Sequence, residues 1–145
     1  MENYLAELYE RDLLKLRGEI EKFNDEANIW KNTEGVTNSA GTLALHIIGN
    51  LNYTIGAIIG GNGYVRNREQ EFSLTGLSRE KLISDIDSTI AVVKKSLDGI
   101  TQATLDETYK LEMFGVKSTA YYLTVFYGHF NYHLGQVNYL RRILE

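Results

Sequence analysis

The sequence predicts an all-α protein, a four-helix bundle with a long crossover between its second and third helices. Three observations carry this. None of the 145 residues is proline, and a proline inside a helix costs about 3 kcal/mol. Four segments repeat apolar residues at three- and four-residue spacing, the period that puts them on one helical face. Three of those segments follow a serine, whose hydroxyl can accept from the free N–H groups of a first helical turn.

The first helix is expected from about Asn3 to Asn28, where Leu5, Leu8, Tyr9, Leu13, Leu16, Ile20 and Phe23 form one stripe. Residues 29–38 read as a connector, and its tryptophan, Trp30, is expected to pack over the end of the helices. The second helix is expected from about Ala40 to Ile59, capped by Ser39 or Asn38. It lacks Lys, Arg, Asp and Glu, so it needs cover on more than one side, either centrally or at a subunit interface. Gly60, Gly61 and Gly63 end it. The 16 residues from Asn62 to Leu77 can extend over roughly 50 Å, more than the length of a helix of this size. They can therefore cross the molecule lengthwise and leave the second and third helices parallel.

The third helix begins at the Ser78 cap, carries Leu82, Ile86, Ile90, Val93 and Leu97 inward, and ends near Gly99. Residues 100–117 alternate only in part and read as irregular. The fourth helix is expected from Thr119 to Leu144 behind Ser118. Glycines recur along one side of it, Gly128 and Gly135, and of the second helix, Gly49, Gly56 and Gly60. A mid-helix glycine costs roughly 0.5–1 kcal/mol against alanine, so close helix contact is expected there.

Composition narrows function. A hydrophobic share of 43% and a charged share of 23% suit one globular domain over residues 1–145. Net charge is −4 with no basic run, which argues against nucleic acid as partner. The absence of cysteine excludes a thiolate nucleophile or a thiolate metal site. The charged first residues do not read as a signal peptide. The most apolar run, Thr42 to Ile59, is broken by His46, Asn50, Asn52 and Thr54, so no membrane span is expected. A cytoplasmic location follows as the expectation.

The candidate chemistry rests on the three histidines. His129 and His133 are four apart and share an apolar helical face, where two imidazoles one turn apart can converge on one ion. His46 lies in the most apolar helix. The alternative for each is a hydrogen-bonded core histidine. Three buried imidazoles with no common partner would be costly, which favours a shared divalent metal. Gln136 and Asn50, each one turn from a histidine, are candidates to support the ligands. Arg66, Arg68 and Glu69 read first as a solvated loop with local ion pairs and second as contacts for a charged substrate. Tyr121, Tyr122, Tyr127 and Tyr132 read as packing residues.

Two segments carry a family resemblance: TLALHIIGNLNYTIGAII around His46 and YGHFNYHLGQVNYLRRIL around His129 and His133, with RNREQEF between them. The sequence resembles the DinB/YfiT-like family of metal-binding four-helix proteins over nearly its whole length. The resemblance implies one divalent ion held by His46, His129 and His133, with open positions for water or substrate. Zinc or nickel is favoured, and iron, cobalt or copper also suit imidazole. It further implies a homodimer and a metal-dependent transferase or hydrolase acting on a small molecule, with a low-molecular-weight thiol as cosubstrate in the manner of some relatives. The alternative is a non-catalytic metal-binding or stress-associated dimer.

Overall fold

The computed structural model describes residues 4–145. Among them the structure is all-helical, with no strand and only two isolated bridges. The helices are α1 (Tyr4–Lys22), a 3-10 turn (Glu26–Trp30), α2 (Ala40–Leu51) continued by a π-helical segment (Asn52–Ala57), α3 (Arg68–Ser73), α4 (Arg79–Leu97), α5 (Gln102–Asp106) and α6 (Thr119–Leu144). The three serine caps form as expected: Ser39, Ser78 and Ser118 each accept from a backbone N–H three residues on, at Thr42, Lys81 and Tyr121.

The first helix is shorter than its periodicity predicts, and its expected start at Asn3 lies outside the described residues. Past Lys22 the backbone finds tertiary partners. The Phe23 carbonyl accepts from the Arg79 guanidinium at 2.6 Å, and the amides of Asn24 and Asp25 donate to the Glu145 carboxylate at 2.8 and 3.0 Å. Asp25 then caps the 3-10 turn through the Ala27 amide. Backbone groups satisfied this way no longer need the next helical turn.

The π segment is a second departure, since one regular helix was expected through Ile59. In an α-helix the Ile58 amide would donate to the Thr54 carbonyl. Here that carbonyl accepts the Tyr109 hydroxyl at 2.8 Å, and Ile58 donates one residue further back, to Tyr53, at 3.0 Å. A long-range tyrosine thus takes over one rung of the ladder and widens the turn. The segment read as irregular supplies this tyrosine. It also forms α5 and pairs Tyr109 with Lys117 through a backbone bond of 2.9 Å.

Side-chain pairs give the helix directions. Along α1 and α4, Glu10 meets Lys94 and Arg17 meets Asp87, so the two are antiparallel. Tyr9 reaches the Leu123 carbonyl and Glu19 meets Arg141, so α1 and α6 are parallel. Asn52 bonds Thr89, and a Cβ at Gly56 would meet Val92. The continuation of α2 and α4 therefore run parallel, as the long crossover predicts. α2 packs against α3, α4 and α6, which supplies within one chain the cover that its charge-free sequence demands. Leu13, Leu16, Ile20, Ala44, Ile47, Leu51, Leu82, Ile86, Leu123 and Phe130 belong to the shared core. Trp30 fits the expected packing role: its indole N–H donates to the Leu77 carbonyl at 2.9 Å, and Gly41 leaves room for its ring.

Candidate metal centre

His46 projects from the middle of α2 and is buried, while His129 and His133 project from one face of α6 and are half-buried. The Nε2 atoms of His46 and His133 lie 3.3 and 3.2 Å from Nε2 of His129. One ligand atom from each imidazole can be chosen so that all lie within 4.8 Å of one another. Two nitrogens bound about 2.1 Å from a tetrahedral ion would stand about 3.4 Å apart. The rings cross nearly edge to face, at 78° and 89° for the two neighbouring pairs.

Protonation states sharpen the case. Nδ1 of His46 faces Oε1 of Glu71 at 3.0 Å. A carboxylate only accepts, so Nδ1 carries a proton, and in the neutral ring that a metal ion requires Nε2 presents the lone pair. Nδ1 of His133 likewise faces the acceptor Oε1 of Gln136 at 2.7 Å, which leaves its Nε2 lone pair pointing at His129. One N–H on His129 can serve only one of these two acceptors. A shared cation satisfies all three nitrogens, so the donor set fits a metal ion.

The charge states agree. Burial, then the neighbouring His133, His46, Arg66 and Arg68, hold the His129 imidazole down to about 4. Burial also lowers His133, against a smaller opposing effect from Gln136. Neutral imidazole is the form that binds metal.

Glu71 is the functional residue that the sequence did not reveal. It comes from α3, a six-residue helix inside the crossover that Asn67 caps through the Gln70 amide. Arg66 holds its carboxylate with two bonds, Nε to Oε2 at 2.8 Å and Nη2 to Oε1 at 2.9 Å. Burial raises the Glu71 carboxyl, but the bonds from Arg66 and His46 outweigh it and keep it below the usual value. The signal lay in Gly49, one turn beyond His46: a methyl there would overlap the Glu71 carboxylate. The glycine row on α2 admits a carboxylate at this point, where close helix contact was expected.

The remaining candidates separate. Arg66 is not the solvated loop residue first expected, because it is half-buried against Glu71. Arg68 is exposed and stacks on Phe72, whose ring stands 4.8 Å from that of His46. Glu69 is exposed and does not join the imidazole cluster. Gln136 supports His133 as anticipated, whereas the Asn50 Oδ1 is buried with no hydrogen-bond partner among the described residues. The hydroxyls of Tyr122 and Tyr127 are committed to Gly115 and Asp12. Tyr132 is exposed, with its ring 5.3 Å from that of His133.

Residues 3–145 match a family described as Protein of unknown function (DUF1572). The chain belongs to the DUF1572 family. No curated protein matches it. Both helices that carry the histidines, and the crossover that carries Glu71, fall inside the match, so the whole centre of this DUF1572 chain lies within the family region. Among its described residues no helix is long and apolar enough to cross a membrane.

Proposed function

We propose that this DUF1572 protein is a DinB/YfiT-like four-helix bundle, a single domain that binds one divalent metal ion through His46, His129 and His133. The observation that carries the reading is the convergence of three Nε2 atoms, two of whose lone pairs are aimed inward by Glu71 and Gln136. Three neutral imidazoles leave the ion its full charge and open positions, so it would supply Lewis acidity toward a bound water, thiol or substrate oxygen. The activity proposed is metal-dependent transfer or hydrolysis on a small molecule, with a low-molecular-weight thiol as cosubstrate. The chain itself has no cysteine, so a thiol would arrive from solution.

One observation favours a second reading, a metal-binding protein without turnover. The carboxylate nearest the imidazoles, Glu71, is already bound by His46 and Arg66, which leaves it poorly placed as a general base.

Metal content of the wild type and of His46→Ala, His129→Ala and His133→Ala, after dialysis, tests the centre. One ion per wild-type chain and much less in each variant is expected, with helical content kept in all four. Equal metal in all four proteins rules the centre out. Turnover of thiol and electrophile by the loaded wild type, lost in the variants, separates the enzyme from the second reading.

A further inference from the structure

The two arginines of the crossover meet different fates, and the difference points to a ligand. Arg66 is spent on Glu71. Arg68 is exposed and makes no ion pair among the described residues; its guanidinium lies 5.0 Å from the centre of the Phe72 ring. Phe72 in turn stands against His46, with 4.8 Å between the ring centres. A guanidinium stacked on an aromatic face is held in place while its N–H edge stays free for a planar anion.

The local charge agrees. The imidazoles are neutral ligands, and the Glu71 carboxylate is matched by Arg66, so an ion bound there keeps its positive charge. Arg68 adds a second, separate positive group on the Phe72 side. Phe72 and Tyr132, both exposed, give the surroundings aromatic surface.

We propose that Arg68 is an anion-binding residue of this centre, and that its ligand is a small molecule with one metal-binding donor and a carboxylate at the other end. The donor takes an open position on the ion, and the carboxylate pairs with Arg68 across the Phe72 ring. This rests on the metal reading above and adds the ligand's charge to it.

Cobalt(II)-loaded protein tests it, because a thiolate bound to cobalt gives a near-ultraviolet charge-transfer band. The probes are 3-mercaptopropionate, which carries a carboxylate, and 2-mercaptoethanol, which does not. The readout is the ratio of their affinities. Wild type should favour the carboxylate probe by about three- to tenfold relative to R68Q, the range expected of a partly exposed, charge-assisted pair. R142Q, which removes a cation farther along α6, should keep the wild-type ratio. Equal ratios in wild type and R68Q, with cobalt bound and the band present, overturn the role of Arg68 and leave the metal centre standing. An equal fall in R142Q also overturns it, since net charge alone would then explain the effect. A chain that takes up no cobalt overturns the metal reading and this proposal together.

Discussion

In the proposed metal centre Glu71 would act through His46. It accepts from Nδ1, which fixes the tautomer and turns the ring so that Nε2 faces the other two imidazoles. Loss of such an outer partner commonly lowers metal affinity by about 10–100-fold. Glu71→Ala should fall in that range by competition with a chelating indicator. Glu71→Gln keeps an acceptor for Nδ1 and should recover part of the loss, which a general packing defect would not. Equal affinity in Glu71→Ala and wild type would remove Glu71 from the centre. Gly49→Ala should resemble Glu71→Ala, because its methyl displaces the same carboxylate.

His129 makes the metal-free protein sensitive to pH. Its imidazole titrates at about 4 in the fold, against about 6.5 in an unfolded chain. Between those values the unfolded chain holds a proton at this position that the folded chain does not. The stability it contributes is fully present above about pH 6.5 and is lost as pH falls through the window toward 4. His133 is shifted in the same direction. The melting temperature of metal-stripped protein should therefore decline across that window, and decline less in His129→Gln. A flat profile in the wild type would contradict the burial of these imidazoles as bases.

At the scale of elements, α1 is tied to α6 by a buried polar contact rather than by apolar stripes alone. Asp12 is fully buried and accepts from Tyr127 on α6, with Arg11 and Lys15 of its own helix alongside. Burial raises its carboxyl, yet these donors prevail and bring it to about 2, so it stays ionised. Tyr127→Phe removes a donor from a buried charge, and such a loss costs about 1–3 kcal/mol. Urea unfolding should show that decrease in stability while metal content is unchanged, because Tyr127 makes no bond to the three histidines. No change in the unfolding midpoint would mean that water or Arg11 replaces the phenol without loss.

The glycine rows divide at the same scale. On α2 and its continuation the glycines are filled positions, since a side chain would meet Glu71 at Gly49, Val92 at Gly56 and Ser96 at Gly60. On α6 a Cβ added at Gly128 or Gly135 would meet no atom from elsewhere among the described residues within 4 Å. Among the described residues the compensation expected from close contact is therefore met for α2 and its continuation and not for α6.

For the whole molecule, that open row bears on assembly. Tyr121, Tyr132, Tyr139 and Ile143 of α6 are exposed beside these glycines, and Gly18 of α1 borders the same groove as Gly135. We propose a homodimer in which α6 meets a second copy of the chain. α2 is the weaker candidate for the interface, because its apolar surface is already covered by α3, α4 and α6. Sedimentation should show a dimer at protein concentrations on the order of tens of micromolar, and Gly135→Arg should shift it toward monomer. Only monomer in the wild type would end the proposal.

Local rules settled much of this protein before any contact was known. Ser39, Ser78 and Ser118 start helices because a side-chain oxygen satisfies amides within its own turn. The apolar stripes choose the buried faces because the helical period is fixed. The pair His129 and His133 shares a face for the same reason. What only the tertiary structure decided depends on residues far apart in sequence. The end of α1 follows from Arg79 and Glu145, and the π segment from Tyr109. His46 meets the pair only because α2 packs on α6. Glu71 enters the centre because a short helix in the crossover folds back onto Gly49. Periodicity and capping act over one or two turns, whereas a polar group brought across the fold finds its partner only when the chain has closed around it.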